Sequence, residues 1–505
     1  MIADFRLPYG GLIDRTVAVP FTFNGRRLLG YRGDTLASAL LANGVHRVAT
    51  SIIYGRPRGI TTAGADEPSA LVRVEQPFAE PGLPAPAVEL CDGLVARGLN
   101  GSGRHPEPAD PARGGTEHLH GDVLVLGAGP AGLVAALTAA RSGARVVLVD
   151  DQPRAGGSLL GSEEFFDCGA ALRWVDEVAA ELEGCPHVRV LHRATVFDAN
   201  EDGVVLAVQR LTESPEAGAP GVGARHRVWR IHAAQTVVAT GARERPLAFP
   251  DNDRPGIMLA GAARTYLHRY AVRPGDRALV LTTNDSAYTP AIELTESGVD
   301  VVTVLDTRTT PPPHLAAECA ARGIKVWAGS AVSGTEGTER LTDVHVTCTG
   351  AGPVGGSWTV PCDTLLVSGG WNPALHLFSK AGGSLRYAPG IGADVPGDAP
   401  PNLQVAGSAT GALDFSDCVT QGRAAGRSAT VAAGFTPAGA VPLPYSDARP
   451  EETPPAVMWM IADEQAGGRS VAGAGKYRPD TRFVDLRRDA TVSDVLRAAG
   501  GDGSS

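Results

Sequence analysis

The chain has 505 residues, of which 43% are hydrophobic and 20% are charged, and its formal net charge at pH 7 is −10. These values are typical of a globular protein of about three domains, and an acidic chain without basic runs argues against a nucleic-acid partner. No apolar stretch reaches the roughly 18 residues of a membrane-spanning helix, and residues 1–11 lack the basic and apolar regions of a secretory signal. We therefore expect a cytoplasmic protein that binds neither membrane nor nucleic acid.

The seven cysteines are isolated in the sequence, since the nearest two, Cys348 and Cys362, are 14 positions apart. This spacing excludes zinc-type CxxC pairs and the plant-ferredoxin pattern, and we predict no metal site. Isolated cysteines also fit a reducing cytoplasm.

The first 90 residues have the pattern of a small α+β module. Two short alternating runs flank Asn24-Gly25, which indicates a hairpin because a type I′ turn requires positive φ at both central residues. A short amphipathic helix follows, with Asp34 or Thr35 as its N-cap. A hairpin, a helix and then further strands predict the start of a β-grasp domain.

The segment 121–160 has the form of a strand, a glycine-rich turn, a helix and a second strand. Its turn matches GxGxxG: Gly127 permits the tight bend, Gly129 admits a pyrophosphate and Gly132 lets helix and strand pack closely. The helix N-terminus adds N–H groups and a partial positive charge. Asp150 ends the second strand, where a carboxylate accepts hydrogen bonds from ribose and repels a 2′-phosphate, which favours NAD or FAD over NADP. The alternative is a glycine-rich turn without a ligand.

Three later strands run into glycine-containing ends, in 235–246, 364–373 and 402–412. Each could be a strand that simply stops, but three in this order are typical of a glutathione-reductase-like α/β fold, in which a second dinucleotide-type domain interrupts the first. The expected boundaries are 1–90 for the β-grasp domain, 91–120 for a surface linker, 121–254 and 356–435 for the first dinucleotide domain, 255–355 for the second, and 436–505 for a C-terminal tail.

The turn of the second dinucleotide-type domain departs from the glycine-rich pattern. Residues 282–288 read TTNDSAY between a strand-like run and a helix-like run, and they include no glycine. The Cβ atoms of Thr282, Asn284 and Ser286 would block close approach of a pyrophosphate to the backbone. The sequence therefore predicts a vestigial domain that keeps its shape and has lost its ligand. Binding of NADH in another geometry is the alternative.

Six segments together carry a resemblance to a known family: TFNGRRLLGYRGDTLASALLANGV, YGRPRGITTAGADEPSALV, GAGPAGL with VVLVDDQPRAGGSLL, ATGARERPLAFPDNDRPGIMLAGAARTYLHRYAV, TTNDSAY and RFVDLRRDATVSDV. Through them the chain resembles the alpha subunits of heterotetrameric sarcosine oxidase over nearly its whole length. The resemblance implies that the N-terminal β-grasp domain is of ferredoxin type. Relatives with an iron–sulfur cluster have cysteines in the stretch that reads RGITTAGADEPSALV here. This stretch has none and only Cys91 lies near a last ligand position, so we predict a ferredoxin-like domain without a cluster.

The resemblance also implies the cofactors and the residues that hold them. In the sarcosine oxidase branch the alpha subunit holds NAD⁺ in its one intact nucleotide site, FMN lies at the interface with the beta subunit, and the beta subunit holds FAD and the amine. FAD in place of NAD remains open for this chain. The predicted contacts, carried over by position and completed by Gly132 of the motif, are Gly127, Gly129, Pro130, Ala131, Gly132, Asp150, Gln152, Gly157, Ser158, Val196, Thr240, Gly241 and Gly407.

The predicted function is that of the alpha subunit of a heteromeric flavin-dependent amine oxidase, with sarcosine as the expected substrate. The expected partners are a beta subunit and also gamma and delta subunits. No catalytic residue is assigned within this chain. The alternatives are a self-contained oxidoreductase that uses FAD and NADH, and a scaffold subunit that binds a nucleotide without turnover. Typical alpha subunits continue into a folate-binding, aminomethyltransferase-like domain, whereas this sequence ends just after the matching FVDL segment. We expect that this domain is a separate polypeptide or that the sequence is a shortened or incomplete product.

Four other residues invite a functional interpretation. Arg56 and Arg58 could meet a flavin phosphate, although solvated arginines are the simpler interpretation. His268 and His376 could be catalytic, although surface or packed histidines are far commoner.

Overall fold

The computed structural model describes residues 4–100, 115–167, 169–200, 202–211, 225–348, 356–439, 441–444, 453–461 and 480–500. Most of the predicted linker, 101–114, lies outside the described residues. The chain divides into two compact units: the first unit comprises 1–110, 244–370 and 451–505, and the second comprises 111–243 and 371–450. Among the described residues, no helix has both the length and the apolar character that crossing a membrane requires.

The N-terminal stretch forms a small mixed sheet with one helix. Its elements are β1 (Asp14–Phe23), β2 (Arg26–Arg32), α1 (Leu36–Ala42), β3 (Ala49–Thr50), β4 (Pro57–Arg58), β5 (Leu71–Gln76), β6 (Glu80–Pro84) and β7 (Val95–Gly98). The strand order is β2-β1-β7-β5-β6, and β1 and β7 are parallel. The predicted hairpin is confirmed, because Asn24 (φ 50°) and Gly25 (φ 78°) form the turn between β1 and β2. Thr35 caps α1 by accepting a hydrogen bond from the N–H of Ser38.

A buried carboxylate organises the loop that precedes β5. Glu67 is 1% exposed, and its two oxygens accept four backbone N–H bonds of 2.6–2.9 Å. The donors are Thr61, Thr62, Ser69 and Ala70. The loop has no regular secondary structure, so its buried amides need these bonds in place of a ladder.

We expect Glu67→Gln to lower the melting temperature by roughly 5–10 °C, since a side-chain amide places its own donors against two of the four N–H groups and costs about 3 kcal/mol. Differential scanning calorimetry measures the shift. The matched control is Glu75→Gln, because Glu75 forms a largely exposed pair with Arg97 and its loss should cost about 0.5 kcal/mol or less. Equal shifts in the two variants would contradict the role given to Glu67.

The next stretch supplies most of the second unit. Its elements are β8 (Gly115–Leu126), α2 (Pro130–Arg141), β9 (Val146–Val149), β10 (Phe165–Phe166), β11 (Gly169–Ala170), α3 (Ala171–Gly184), β12 (Val188–Leu191), β13 (Ala194–Ala199), β14 (Val204–Arg210), β15 (His226–Val238) and β16 (Ala242–Glu244).

The inserted stretch that follows belongs to the first unit. Its elements are β17 (Ile257–Leu259), α4 (Ala260–Tyr270), β18 (Arg277–Thr282), α5 (Tyr288–Glu296), β19 (Asp300–Asp306), α6 (Pro313–Ala321), β20 (Lys325–Ala328), β21 (Ser330–Gly337), β22 (Leu341–Cys348), β23 (Gly356–Pro361) and β24 (Thr364–Ser368).

The chain then completes the second unit and returns to the first. The remaining elements are β25 (Trp371–Pro373), α7 (His376–Lys380), β26 (Leu385–Ala388), β27 (Ala393–Pro396), β28 (Leu403–Val405), α8 (Phe415–Ala432), β29 (Phe483–Asp485), β30 (Ala490–Thr491) and α9 (Val492–Gly500).

The sheet of the second unit has the order β12-β9-β8-β15-β14-β13, with β28 also paired to β15. Strands β12, β9, β8, β15 and β28 are parallel to one another, whereas β14 pairs antiparallel with both β15 and β13. Successive residues of β8 point to opposite faces, as strand geometry requires. Val123 and Val125 join the apolar cluster that contains α2, α3 and α8, whereas Leu124 and Leu126 join the cluster on the other face with Phe378 of α7.

The inserted stretch forms a parallel sheet of order β17-β24-β18-β19-β20. It shares one hydrophobic core with the N-terminal sheet, although the sequence pattern predicts two separate modules. Several hydrogen bonds join them. For example, the hydroxyl of Tyr266 donates to the carbonyl of Thr62 at 2.9 Å, and the N–H of Leu259 donates to the carbonyl of Thr61 at 2.9 Å. Both modules therefore belong to the first unit.

Candidate functional site: a glycine-lined turn in the second unit

The turn between β8 and α2 is built by close packing of the chain on itself. Gly127 has φ +103°, and a Cβ there would lie 2.3 Å from the carbonyl oxygen of Ala239. A Cβ on Gly132 would lie 1.8 Å from the carbonyl oxygen of Gly127. Real Cβ atoms do not approach backbone oxygens this closely, so the packing of the protein itself requires both glycines.

Gly129 differs from these two glycines. Its φ is −73°, and the nearest described atom that a Cβ would meet is the Cα of Gly157, at 3.8 Å. The fold does not demand a glycine here, and the space beside it lies at the N-terminus of α2. The first turn of α2 has Pro130 at its start and no side-chain cap among the described residues. Such an end offers N–H groups and a partial positive charge to an anion, so the geometry fits the phosphates of a dinucleotide.

Asp150 lies directly behind the glycine turn at the end of β9. It is 8% exposed, and its carboxylate accepts hydrogen bonds from the N–H of Ala128 (2.6 Å) and of Gln152 (2.8 Å). Its carbonyl accepts the N–H of Ala194, the first residue of β13, at 2.8 Å. The side chain thus fixes the turn and the residues after β9, and a carboxylate keeps further acceptor sites for hydroxyl groups.

Two distant segments approach the same turn. Gly157 has φ +56°, and a Cβ there would lie 2.7 Å from the Cα of Gly129, so Gly157 lies against the turn. Gly407 has φ +74°, and a Cβ added there would lie 2.7 Å from the Cβ of Ala131. Ser158, next to Gly157, is exposed. The structure therefore brings these predicted residues together around 127–132.

The remaining predicted residues lie on neighbouring strands. Thr240 follows Ala239, the residue that packs on Gly127, and its hydroxyl donates to the carbonyl of Ala374 at 2.7 Å. The carbonyl of Gly241 accepts the N–H of Ala374 at 2.9 Å, which fixes this strand end. Val196 lies on β13, two residues beyond the hydrogen bond to Asp150, and is partly buried against the core. The backbone nitrogen of Thr240 also lies near the glycine turn, since a Cβ on Gly127 would be 3.5 Å from it.

The contribution of α8 to the site is not apparent from the sequence motifs. A Cβ on Gly422 would lie 2.2 Å from the carbonyl oxygen of Ala131, and one on Gly426 would lie 2.5 Å from that of Ala135. Gln421 supports Gly407, because its side-chain oxygen accepts the N–H of Gly407 at 3.1 Å. The signal was present as two glycines four positions apart in a helix, a spacing that lets two helices approach closely.

Among the described residues, the thiol of Cys418 on α8 lies close to the site. A Cβ on Gly407 would lie 3.9 Å from its sulfur, and the thiol donates to the carbonyl of Ala412 at 3.4 Å. Burial raises the pKa of Cys418, so the residue stays a neutral thiol at neutral pH. The six cysteines among the described residues are all free of disulfide bonds.

The corresponding turn of the inserted sheet is filled by its own side chains. Thr282 is fully buried, and its hydroxyl donates to the carbonyl of Asn284 at 2.7 Å. The amide of Asn284 donates to the hydroxyl of Ser368 at 3.1 Å, and its oxygen accepts the hydroxyl of Ser286 at 2.6 Å. These polar side chains bond to one another within the turn, whereas the turn of the second unit is lined by hydrogens of glycine.

Both arginines among the four other candidate residues have structural partners. Arg58 is 1% exposed and pairs with Asp253 and Asp489, so the solvated interpretation was wrong for this residue. Arg56 pairs with Asp253 and Asp251 at 2.6 and 2.7 Å.

Of the two histidines, His268 lies beside a carboxylate and His376 is exposed. The ring of His268 lies 2.9 Å from a carboxylate oxygen of Glu293. His376 is the first residue of α7, and desolvation lowers its pKa.

Two protein families match consecutive parts of the chain. The 2Fe-2S iron-sulfur cluster binding domain matches residues 16–101, and the pyridine nucleotide-disulphide oxidoreductase family matches residues 121–408. The second match supports a flavin or nicotinamide dinucleotide as the class of cofactor.

Similar proteins extend the comparison over nearly the whole chain. The sarcosine oxidase subunit alpha of a Corynebacterium species is 44% identical over 98% of this chain and 51% of its own length, and that of Rhizobium meliloti is 36% identical over 98% and 52%. The chain thus spans about half the length of the curated relatives it matches. The crystal structure of L-proline dehydrogenase from P. horikoshii superposes with a TM-score of 0.65, covering 86% of this chain and 77% of that one at 22% identity. The predicted fold class and the predicted resemblance are both confirmed.

The prediction that this chain has no iron–sulfur cluster is contradicted, because the matched N-terminal family is the one that binds 2Fe-2S clusters. The donor set of the matched residues does not fit such a group. Residues 16–101 contain one cysteine, Cys91, whereas a cysteine-held cluster takes four thiolates, and the loop amides near β5 are bonded to Glu67. No step of the function is therefore derived through a cluster.

The matched oxidoreductase region contains the glycine turn, Asp150, Gly157 and Gly407 together, and it covers more than half of the chain. The sequence motif, the parallel sheet that presents it and the space left beside Gly129 all agree with this match. The chain belongs to the pyridine nucleotide-disulphide oxidoreductase family.

Proposed function

We propose that this chain is the dinucleotide-holding alpha subunit of a heteromeric flavin-dependent amine oxidase. The expected overall reaction converts sarcosine, water and O₂ to glycine, formaldehyde and H₂O₂. Similarity to sarcosine oxidase alpha subunits over 98% of the chain supports this class. The observation that carries the proposal is the space beside Gly129, at the N-terminus of α2, which the packing of the protein does not explain.

Each part of the site has a proposed role. The N–H groups at the start of α2 donate to the pyrophosphate, and Gly129 and Gly157 keep the approach open. Asp150 accepts hydrogen bonds from ribose hydroxyls. The other predicted contacts, from Gln152 to Gly407, line the remainder of the nucleotide. A bound flavin or nicotinamide supplies the redox chemistry, while this chain binds and orients it.

A self-contained oxidoreductase that uses NADH is the less favoured alternative. Such an enzyme needs a second nucleotide site, and the turn of the inserted sheet is occupied by the side chains of Thr282, Asn284 and Ser286. Disulfide reduction is also disfavoured, because no two cysteines are closer than 14 positions in the sequence and Cys418 is a buried neutral thiol.

The relatives are named as subunits, so we expect the activity to require partner chains, with a beta subunit as the one that binds the amine. The test is to purify the chain both alone and with its native partners, and to identify released nucleotides by mass spectrometry. We expect about one adenine dinucleotide per chain, and H₂O₂ production from sarcosine only in the complex. A complex without flavin would overturn the proposal, as would rapid bleaching of the isolated chain by NADH.

A further inference from the structure

In the first unit, a segment from much later in the chain covers the place on the inserted sheet where a nucleotide would bind. Residues 453–461, here called the strap, belong to the same unit and contact the ends of β18 and β19. We infer that the strap is the built-in ligand of this second dinucleotide-type fold, and that Arg308 is the residue that holds it. The proposed function requires only that this fold is without a nucleotide; the inference adds what takes its place.

In a βαβ unit that binds a dinucleotide, the ribose-binding acidic residue lies at the end of the second strand, which corresponds to the end of β19. Asp306 occupies this position and is fully buried. The hydroxyl of Tyr288 donates to its carboxylate at 2.7 Å, and the guanidinium of Arg308 binds it at 2.8 Å. Both partners belong to this chain, so the carboxylate of Asp306 is already hydrogen-bonded within the protein and is not available to a ribose.

Arg308 then links the sheet to the strap. Its Nη1 donates to the carboxylate of Asp285 at 2.7 Å and to the carbonyl of Thr453 at 3.2 Å, with the carbonyl of Pro454 at 3.5 Å. One guanidinium is thus shared by two carboxylates and the strap, and the surplus negative charge disfavours a phosphate at this position.

Both backbone N–H groups of residues 453–456 donate hydrogen bonds to the inserted sheet and its turn. Pro454 and Pro455 have none, which leaves Thr453 and Ala456. The N–H of Thr453 donates to Asp285 at 2.8 Å, and that of Ala456 donates to the carbonyl of Thr283, directly after β18, at 2.8 Å. A pyrophosphate would lie beside this same turn in a nucleotide-binding βαβ unit.

The far end of the strap is anchored in the core. The carbonyl of Trp459 accepts the N–H of Ala248, and the N–H of Ile461 donates back to the carbonyl of Ala248, both at 2.9 Å. Ile461 is 1% exposed and belongs to the apolar cluster of the inserted sheet. The strap is therefore held by backbone pairing and by burial, in addition to Arg308.

Hydrogen exchange with residue-level fragmentation tests the inference on the full chain. In the wild type we expect the amides of Thr453 and Ala456 to exchange at least about tenfold more slowly than their intrinsic chemical rates. Addition of NADPH or NADH to about 1 mM should leave this protection and that of 282–287 unchanged. Unprotected strap amides would overturn the inference. Displacement of the strap by either nucleotide would also overturn it.

A conservative variant isolates the role of Arg308. Arg308→Lys keeps the charge beside Asp306 but loses the planar fork that reaches the strap carbonyls, so strap exchange should rise by roughly tenfold. The matched control is Arg322→Lys, which alters a partly exposed pair with Glu296 of α5 in the same unit and should leave the strap unchanged. Unchanged hydrogen exchange of the strap in Arg308→Lys would overturn the assignment of Arg308.

The released-nucleotide measurement concerns the second unit only, so failure of the proposed function and failure of this inference give different results.

Discussion

Replacement of Gly129 by aspartate is expected to remove the adenine dinucleotide from the purified chain, with an affinity loss of at least about 100-fold. The added carboxylate would stand at the start of α2, where the phosphates are proposed to bind, and would repel them. The fold should survive, because φ is −73° and a Cβ meets nothing closer than 3.8 Å. Aspartate is also a good N-cap, so the nucleotide-free variant should melt no lower than the nucleotide-free wild type.

Mass spectrometry of released nucleotide and calorimetry of the nucleotide-free proteins measure the two effects. Gly390→Asp is the matched control: it makes the same substitution in the same unit, at an exposed glycine whose Cβ would meet nothing within 4 Å. The control should keep its nucleotide. If Gly129→Asp retains about one nucleotide per chain, the glycine turn is not the binding site.

The parts of the site that depend on contacts between residues close in sequence could be predicted from the sequence. Gly132 packs against the carbonyl of Gly127 within one strand, turn and helix, and Asp150 lies only 22 residues from its partner Ala128. A single βαβ unit encodes such contacts, so the GxGxxG spacing was sufficient to find them. Asn24-Gly25 likewise specified its hairpin through backbone preference alone.

The remainder of the site depends on contacts between distant residues. Gly407 is next to Ala131 only after the sheet has formed, and the partners of Arg58 lie 195 and 431 residues away. Periodicity and motif spacing contain no information about such pairings, because they arise from the packing of separately formed elements. Sequence analysis therefore located the glycine turn but could not distinguish a solvated Arg58 from a buried one.

Replacement of Arg58 by methionine is expected to lower the free energy of unfolding of the first unit by about 3–5 kcal/mol, since it leaves buried carboxylates without their partner. Arg58 is 1% exposed, lies over the ring of Phe483 and pairs with Asp253 and Asp489, both almost fully buried. Asp253 keeps Arg56, but Asp489 keeps mainly the N–H groups of its neighbouring loop. Residues 480–500 should therefore loosen first, which hydrogen exchange would detect.

The control for this prediction is Arg47→Ala, because Arg47 and its partner Glu339 are 40% and 68% exposed and the loss of their ion pair should cost about 0.5 kcal/mol or less.

The pH dependence of the first unit provides a second test of the role of Arg58. Burial pushes the pKa of Asp489 upward, but backbone N–H bonds, the side chain of Ser51 and Arg58 outweigh it and hold the pKa below its usual 3.8. A depressed pKa contributes stability that is present above 3.8 and is lost as the pH falls through the lower folded-state value. Arg58→Met should raise that folded-state value, so residues 480–500 should loosen at a higher pH than in the wild type. If acid loosens this segment at the same pH in both proteins, Arg58 does not hold Asp489 in place.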